Sequence, residues 1–236
     1  MAAHALTEST SLPQHIAIIP DGNRRWAKLN GVSSLEGHKR GGDTAKQISR
    51  EVFRAGIPYM SIYAFSTENW NRTSEEVQYL MDLYLRLAGV ELKDAMADNI
   101  KIIVSGSKDK LSKKIAASLD KIQQETSQNT GGTLNICLNY GGQDEIIHAV
   151  KEIVESGVEA HKVNAEIIKN HLYTADLPPV DLVVRTSGEQ RLSNFLLWDS
   201  AYAELSFPEV MWPDFDEIEL TKVLEDYAHR QRRFGS

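Results

Sequence analysis

Apolar residues in this chain come in short β-branched runs, separated by longer stretches where they recur every three or four positions. The runs at 15–20, 59–65, 100–104, 133–138, 182–185 and 204–207 read as strands, because short apolar runs bounded by turn residues suit strands buried on both faces. The stretches 38–55, 74–98, 111–127, 143–156, 165–171 and 217–229 carry the helical period and read as helices. Alternation of the two types predicts an α/β fold with a mostly parallel sheet covered by helices on both sides. No repeat, low-complexity linker or break in composition divides the chain. One domain over 15–236, preceded by a flexible segment 1–14, is therefore expected.

The best-defined helix follows Arg72. Thr73, with Glu76 three residues on, matches a capping box. Val77, Leu80, Met81, Tyr84, Leu85, Ala88 and Leu92 then fall along one face. Such a face suits the protein core, and it equally suits the wall of an apolar ligand tunnel; the period does not separate them.

Composition narrows the class of partner. The chain has 236 residues, 42% of them hydrophobic and 25% charged. That is the makeup of a globular domain able to bury a sizeable core. Asp and Glu outnumber Lys and Arg by 33 to 26, for a net charge of -7. The acidic surplus argues against a nucleic-acid partner, though not against a local basic pocket for a small anion. A single cysteine, Cys137, excludes an internal disulfide and a cysteine metal cluster. It sits in an apolar run and reads as a core filler. The first 14 residues lack a signal-peptide core, and no stretch has the length of a membrane span, so a cytoplasmic protein with at most peripheral membrane contact is expected.

The chemistry gathers where strands end. The first run stops at Pro20 and is followed by Asp21, Gly22, Asn23, Arg24, Arg25 and Trp26. In open α/β sheets ligands sit beyond the carboxyl ends of the strands. Arginine forks match phosphate oxygens, and a carboxylate beside them suits a divalent cation shared with those phosphates. The same residues also read as a polar turn with a salt bridge. The second run ends in Ser66-Thr67-Glu68-Asn69-Trp70-Asn71-Arg72. Trp26 and Trp70 thus stand beside arginines at two strand ends, although each alone reads as a core side chain. The fifth run ends in Arg185, Thr186, Ser187 and Gly188, followed closely by Arg191 and Ser193. Two arginines and three hydroxyls around a glycine suit a diphosphate clamp, or a loop of internal ion pairs. Glu204, a lone acid in an apolar stretch, requires an arginine or a metal nearby. Three strand ends thus carry anion-binding residues, with Asp21 and Glu204 as acids able to ligate Mg²⁺. Asp214, Asp216 and Glu217 read as a helix N-cap rather than a metal trio. No GxxxxGK[ST] loop, GxGxxG after a strand or HExxH spacing is present.

These residues form longer motifs: DGNRRWA at 21–27, GHK at 37–39, YAFSTENWNR at 63–72, NYGG at 139–142, RTSGEQRLSNFLLW at 185–198 and AYAELSF at 201–207. In this order they resemble the cis-prenyltransferase family, in particular its bacterial undecaprenyl diphosphate synthase branch. The similarity runs over nearly the whole chain. It implies a homodimer with a six-stranded sheet and a hydrophobic tunnel. It implies Mg²⁺-dependent condensation of isopentenyl diphosphate onto an allylic diphosphate such as farnesyl diphosphate, each new double bond being Z. The product would serve as a cell-wall lipid carrier. Asp21 matches the family's essential aspartate, which helps hold Mg²⁺. Gly22, Asn23, Arg25 and His38 match positions around the allylic diphosphate. Ser66, Asn69, Trp70 and Arg72 match a segment that closes over the substrates, with Asn69 near the reacting carbons. Arg185, Arg191 and Ser193 match the isopentenyl diphosphate clamp, and Glu204 a second metal-site acid. Arg233-Phe234-Gly235 matches a terminal motif that reaches the partner's site.

The chain departs from the pattern at Pro20, usually Met, at Arg24, often Gly, and at Gln190, often His. Ser34 stands where many members place an arginine, and Arg24 can supply that charge instead. A short-chain or irregular prenyl diphosphate synthase would carry the same clamps. A non-catalytic scaffold subunit could lack the first-strand acid or the clamp arginines, which are present here.

Overall fold

The computed structural model describes residues 12–230, side chains excepted at 84–92. Six strands form one sheet: β1 (His15–Ile19), β2 (Tyr59–Ser66), β3 (Lys101–Ser105), β4 (Thr133–Tyr140), β5 (Leu182–Arg185) and β6 (Glu204–Ser206). Their order is β3-β4-β2-β1-β5-β6. Every pairing is parallel, so the expected mostly parallel sheet is wholly so.

Seven α-helices surround it: α1 (Asn23–Leu29), α2 (Ser34–Arg54), α3 (Ser74–Ala97), α4 (Lys113–Thr126), α5 (Gly142–Glu155), α6 (Ala165–Asn170) and α7 (Glu217–His229). Side-chain caps set several starts. Ser33 accepts from Glu36 N, Ser112 from Ile115 N, and Asp216 from Ile218 N and Glu219 N. The acids near Pro213 thus cap α7 as the sequence suggests. Two helices correct the sequence reading. α2 begins four residues before position 38, because Ser33 caps it ahead of its first glycine. α1 falls in a stretch read as a turn; of its seven residues only Ala27 is buried, too little to show a period.

Both sheet faces are covered, and the strands show why. In β1, Ile16 and Ile18 enter one core with Ile48 and Val52 of α2 and Leu220 and Leu224 of α7. Ala17 and Ile19 alternate to the other face and pack with Tyr63, Tyr140, Phe195 and Leu196. A third cluster joins Phe65 and Leu138 to Leu80 and Met81 of α3 and Leu119 of α4. Cys137 is fully buried in the second cluster, as a core filler should be. Among the described residues no helix is long and apolar enough to cross a membrane.

β1 and β5 are neighbours, yet β1 is followed by β2 on one side and β5 by β6 on the other. Strand order therefore reverses between them, and a crevice opens there beyond their carboxyl ends, where ligands bind in such sheets.

Candidate active site

The crevice is built by register. Ile19 pairs with Arg185, so the residues following β1 and β5 emerge side by side. Asp21 N donates to Thr186 Oγ1 at 2.9 Å, and Thr186 Oγ1 donates to Asp21 O at 2.7 Å. Gly22 then takes φ 109°, a conformation L side chains rarely adopt, and a Cβ there would lie 2.9 Å from Met211 Cβ. Glycine is needed both for the turn and for close approach of the 211 segment.

Asp21 Oδ2 accepts from Arg185 Nη2 at 2.7 Å, and its Oδ1 lies 3.4 Å from Arg25 Nη2. Partial burial pushes the Asp21 carboxyl up, but the Arg185 bond and charge, with Arg25 behind them, outweigh it and hold the group below its usual range. Arg185 is itself buried. Its Nη1 donates to Ser193 Oγ at 2.6 Å and to Arg191 O at 2.8 Å. Its Nε and Asn23 Oδ1 are buried and have no hydrogen-bond partner. A buried donor left unpaired costs on the order of 1–3 kcal/mol. An anionic ligand at the end of the crevice would satisfy the Arg185 Nε–H, whereas Asn23 Oδ1, an acceptor, needs a donor.

Around this pair opens a cavity of about 720 Å³. Its polar end takes in Asp21, Asn23, His38, Ser66, Asn69, Arg72, Arg185, Arg191 and Ser193. The rest of its lining is mostly apolar, with Ala64, Leu80, Leu119, Ile136 and Leu138, joined by Lys46 and Ser49 of α2. Ala64 and Ser66 of β2 both line the cavity. Val77 and Met81 sit in the α3–α4 cluster, and the side chains of Tyr84, Leu85, Ala88 and Leu92 lie outside the described residues.

A second ion cluster closes the polar end. His38 Nε2 lies 3.1 Å from Glu76 Oε1, and Arg72 Nη1 donates to the same oxygen at 2.8 Å. Burial lowers the His38 pKa, and the charges of Arg72 and Arg24 assist, against the opposing pull of Glu76. Arg24 is thus electrostatically tied to this cluster. The capping box at Thr73 is only half formed. Thr73 Oγ1 accepts from Glu76 N at 3.3 Å, but the Glu76 carboxylate reaches His38 and Arg72 instead. A reciprocal bond appears at the end of β2, where Ser66 N donates to Asn69 Oδ1 at 3.1 Å.

Not every expected residue joins the cavity. Trp70 donates from Nε1 to Asn139 Oδ1 at 2.7 Å and meets Phe65 edge-on, with ring centroids 5.1 Å apart. That is a core-anchoring position. Trp26, half-buried in α1, does not line the cavity. Glu204 pairs with Leu182, three register positions before Arg185, which is roughly 10 Å along the strand. Its carboxylate lies 3.1 Å from Arg230 Nη1. Of the two remedies foreseen for this acid, an arginine is at hand, and register sets the acid away from Asp21 in one chain. Arg233 and Gly235 lie outside the described residues. The sequence reading missed Glu68, which lines the cavity and accepts from Asn194 Nδ2 at 2.9 Å, and the bridging role of Glu76.

Among the described residues, no group of three or more His, Cys, Asp or Glu converges to hold a metal. Those residues therefore build no all-protein metal cage. Mg²⁺, however, commonly takes one or two carboxylates and completes its shell with water and substrate phosphates. Asp21 at the cavity mouth fits that pattern.

Residues 19–235 match the prenyltransferase family model described as "Putative undecaprenyl diphosphate synthase". The chain belongs to this prenyltransferase family. Among relatives in the family, it is 46% identical over 225 residues to an isoprenyl transferase of Fusobacterium nucleatum, covering 95% of this chain and 96% of that protein. An isoprenyl transferase of Clostridium tetani is 44% identical over 229 residues, 95% of this chain and 90% of the other. The structure resembles a lavandulyl diphosphate synthase from Lavandula x intermedia, crystallised with dimethylallyl diphosphate, at TM-score 0.91 and 32% identity over 95% of this chain and 99% of that one. It also resembles a probable undecaprenyl diphosphate synthase from Campylobacter jejuni, at TM-score 0.81 and 29% identity over 96% and 99% of the two chains. The chain is thus a transferase of the undecaprenyl diphosphate synthase type.

Proposed function

We propose that this protein condenses isopentenyl diphosphate units onto an allylic diphosphate such as farnesyl diphosphate, making a Z-polyprenyl diphosphate of undecaprenyl type for a cell-wall lipid carrier. The observation that carries this reading is the Asp21–Arg185 pair at the strand-order reversal, set at the polar end of a cavity whose remaining lining is mostly apolar. A diphosphate with a prenyl tail has the same polarity along its length. In this reading the protein works in the cytoplasm.

Diphosphate leaves only when its developing charge is stabilised. Arg25, Asn23, His38 and the backbone at Gly22 face the allylic diphosphate in this reading, with Arg24 adding charge beside His38. Arg185, Arg191 and Ser193 bind the isopentenyl diphosphate. Asp21 is the residue that would hold Mg²⁺, which when bound neutralises diphosphate charge. Asn69 orients the reacting carbons. Ser66, Trp70 and Arg72 belong to the segment that closes over both substrates, and Trp26 supports the α1 side. As the allylic C–O bond breaks, its electrons leave with the diphosphate. The alkene of isopentenyl diphosphate attacks the allylic carbon, and the proton lost in forming the new double bond goes to a diphosphate oxygen. The lengthening tail moves against the apolar lining, gaining about 0.8 kcal/mol per buried CH₂. A homodimer in which Arg233 serves the partner's site completes the proposal.

The likeness to the lavandulyl diphosphate synthase favours one second reading, a short-chain or irregular synthase. Incubation with radiolabelled isopentenyl diphosphate, Mg²⁺ and primers of several lengths, followed by sizing of products, separates the two. Products of many additions are expected. A single addition would select the second reading, and no incorporation with any primer would refute both.

A further inference from the structure

Glu189 has no part in the mechanism above, yet its carboxylate stands between the two arginines assigned to different diphosphates. Its Oε1 accepts from Arg25 Nη1 at 3.0 Å, and its Oε2 accepts from Arg191 Nη1 at 2.5 Å. Arg25 also donates from Nη2 to Ser187 Oγ. The loop is held in this shape. Ser187 and Gly188 take φ 70° and 72°, Ser187 N donates to Val210 O at 2.8 Å, and Gly188 N donates to Pro208 O at 3.0 Å. One anchored carboxylate thus offers one oxygen to each guanidinium, from the side of the crevice where Asp21 already holds Arg185.

We propose that Glu189 is the internal counter-ion of the substrate-free site, and that it hands Arg25 and Arg191 over to the incoming diphosphates. The inference rests on the reading of those arginines as diphosphate clamps. All three side chains are well exposed, at 34%, 45% and 56% for Glu189, Arg25 and Arg191, so water screens the bridge and its exchange is inexpensive. A diphosphate carries more charge and more acceptor oxygens than a carboxylate and wins the arginines. When inorganic diphosphate departs, the carboxylate returns to them. Glu189 therefore lowers the affinity for both substrates together and speeds release of the diphosphate product. A residue that merely oriented the arginines would do the reverse, and the sign of the effect separates the two roles.

The test is titration calorimetry of inorganic diphosphate against wild type and Glu189→Gln, with KM for isopentenyl diphosphate measured alongside. The glutamine keeps the shape and removes the charge. Binding about three- to tenfold tighter is expected, the range set by one or two exposed ion pairs, with KM falling in parallel. Unchanged or weaker binding would overturn the proposal. Arg25→Ala and Arg191→Ala are titrated in the same series. If neither loses affinity for diphosphate, the clamp reading itself fails. If both lose it while Glu189→Gln binds like wild type, only the counter-ion role fails.

Discussion

Asp21 is a carboxylate held ionised by two arginines at a mouth where diphosphate charge would develop. Its contribution should grow as the C–O bond ionises, so Asp21→Ala is expected to cut turnover by about 100-fold or more while substrate KM values move much less. Steady-state kinetics on each substrate in turn checks this; near-normal turnover would remove Asp21 from the chemistry. At this scale much was legible. A carboxylate and two guanidiniums following an apolar run put an ion pair at a strand end, and the structure shows Asp21 beside Arg25 and Arg185 there. What could not be read was pairing. Thr73 and Glu76 spell a capping box, and only the arrival of His38 from α2 turns the Glu76 carboxylate elsewhere. Glu204 shows the same limit: its register, three positions short of Arg185, depends on how β6 docks on β5.

Strands were legible as elements because both faces of the sheet are covered, which leaves nearly unbroken apolar runs. α1 was not, since it is short, polar and anchored by one alanine. β1 also carries a polar group into the interior. His15 Nδ1 lies 2.8 Å from Pro178 O and Nε2 lies 2.8 Å from Ser61 Oγ, an arrangement that suits the neutral ring donating to the carbonyl and accepting from the hydroxyl. Burial lowers the His15 pKa from 6.5, over the opposing pull of the Pro178 bond and of Asp199 and Asp181. The sign follows from linkage: the unfolded chain takes up the proton first as pH falls through 6.5, so stability is full above that value and declines below it. His38, also lowered, acts in the same direction. Glu145, whose carboxyl burial pushes up, acts in the opposite one. Urea unfolding at pH 7.5, 6.5 and 5.5 should therefore show a steeper acid loss in wild type than in His15→Gln. Equal slopes would mean that the β1 imidazole titrates alike in both states.

For the whole molecule, the cavity and the outer surface make separate statements. Ala64 lines the cavity just inside Ser66. Ala64→Leu should shift products toward shorter chains while the first condensation persists, read by product sizing; an unchanged distribution would mean the growing tail does not pass this residue. On the outside, Ile147, Val150 and Val154 of α5 are exposed at 53%, 48% and 70% and fall on one helix face. If Arg233 serves the partner's site, mixing inactive Asp21→Ala and Arg233→Ala chains should restore part of the activity through heterodimers with one intact site. No recovery, with subunit exchange verified by mass spectrometry, would argue for self-contained sites.

Cys137 lies at 0% exposure in the middle of β4, and burial raises its thiol well above the usual range. It is the chain's single cysteine. A thiol that is both protonated and unreachable does not react with maleimides in the folded state. The wild-type sequence is therefore already a blank background for site-specific labelling. A cysteine introduced at exposed Glu75, next to the segment carrying Arg72, would be the one reactive thiol. A fluorophore placed there would show whether the segment closes as substrates bind, without first stripping the native cysteine from the core.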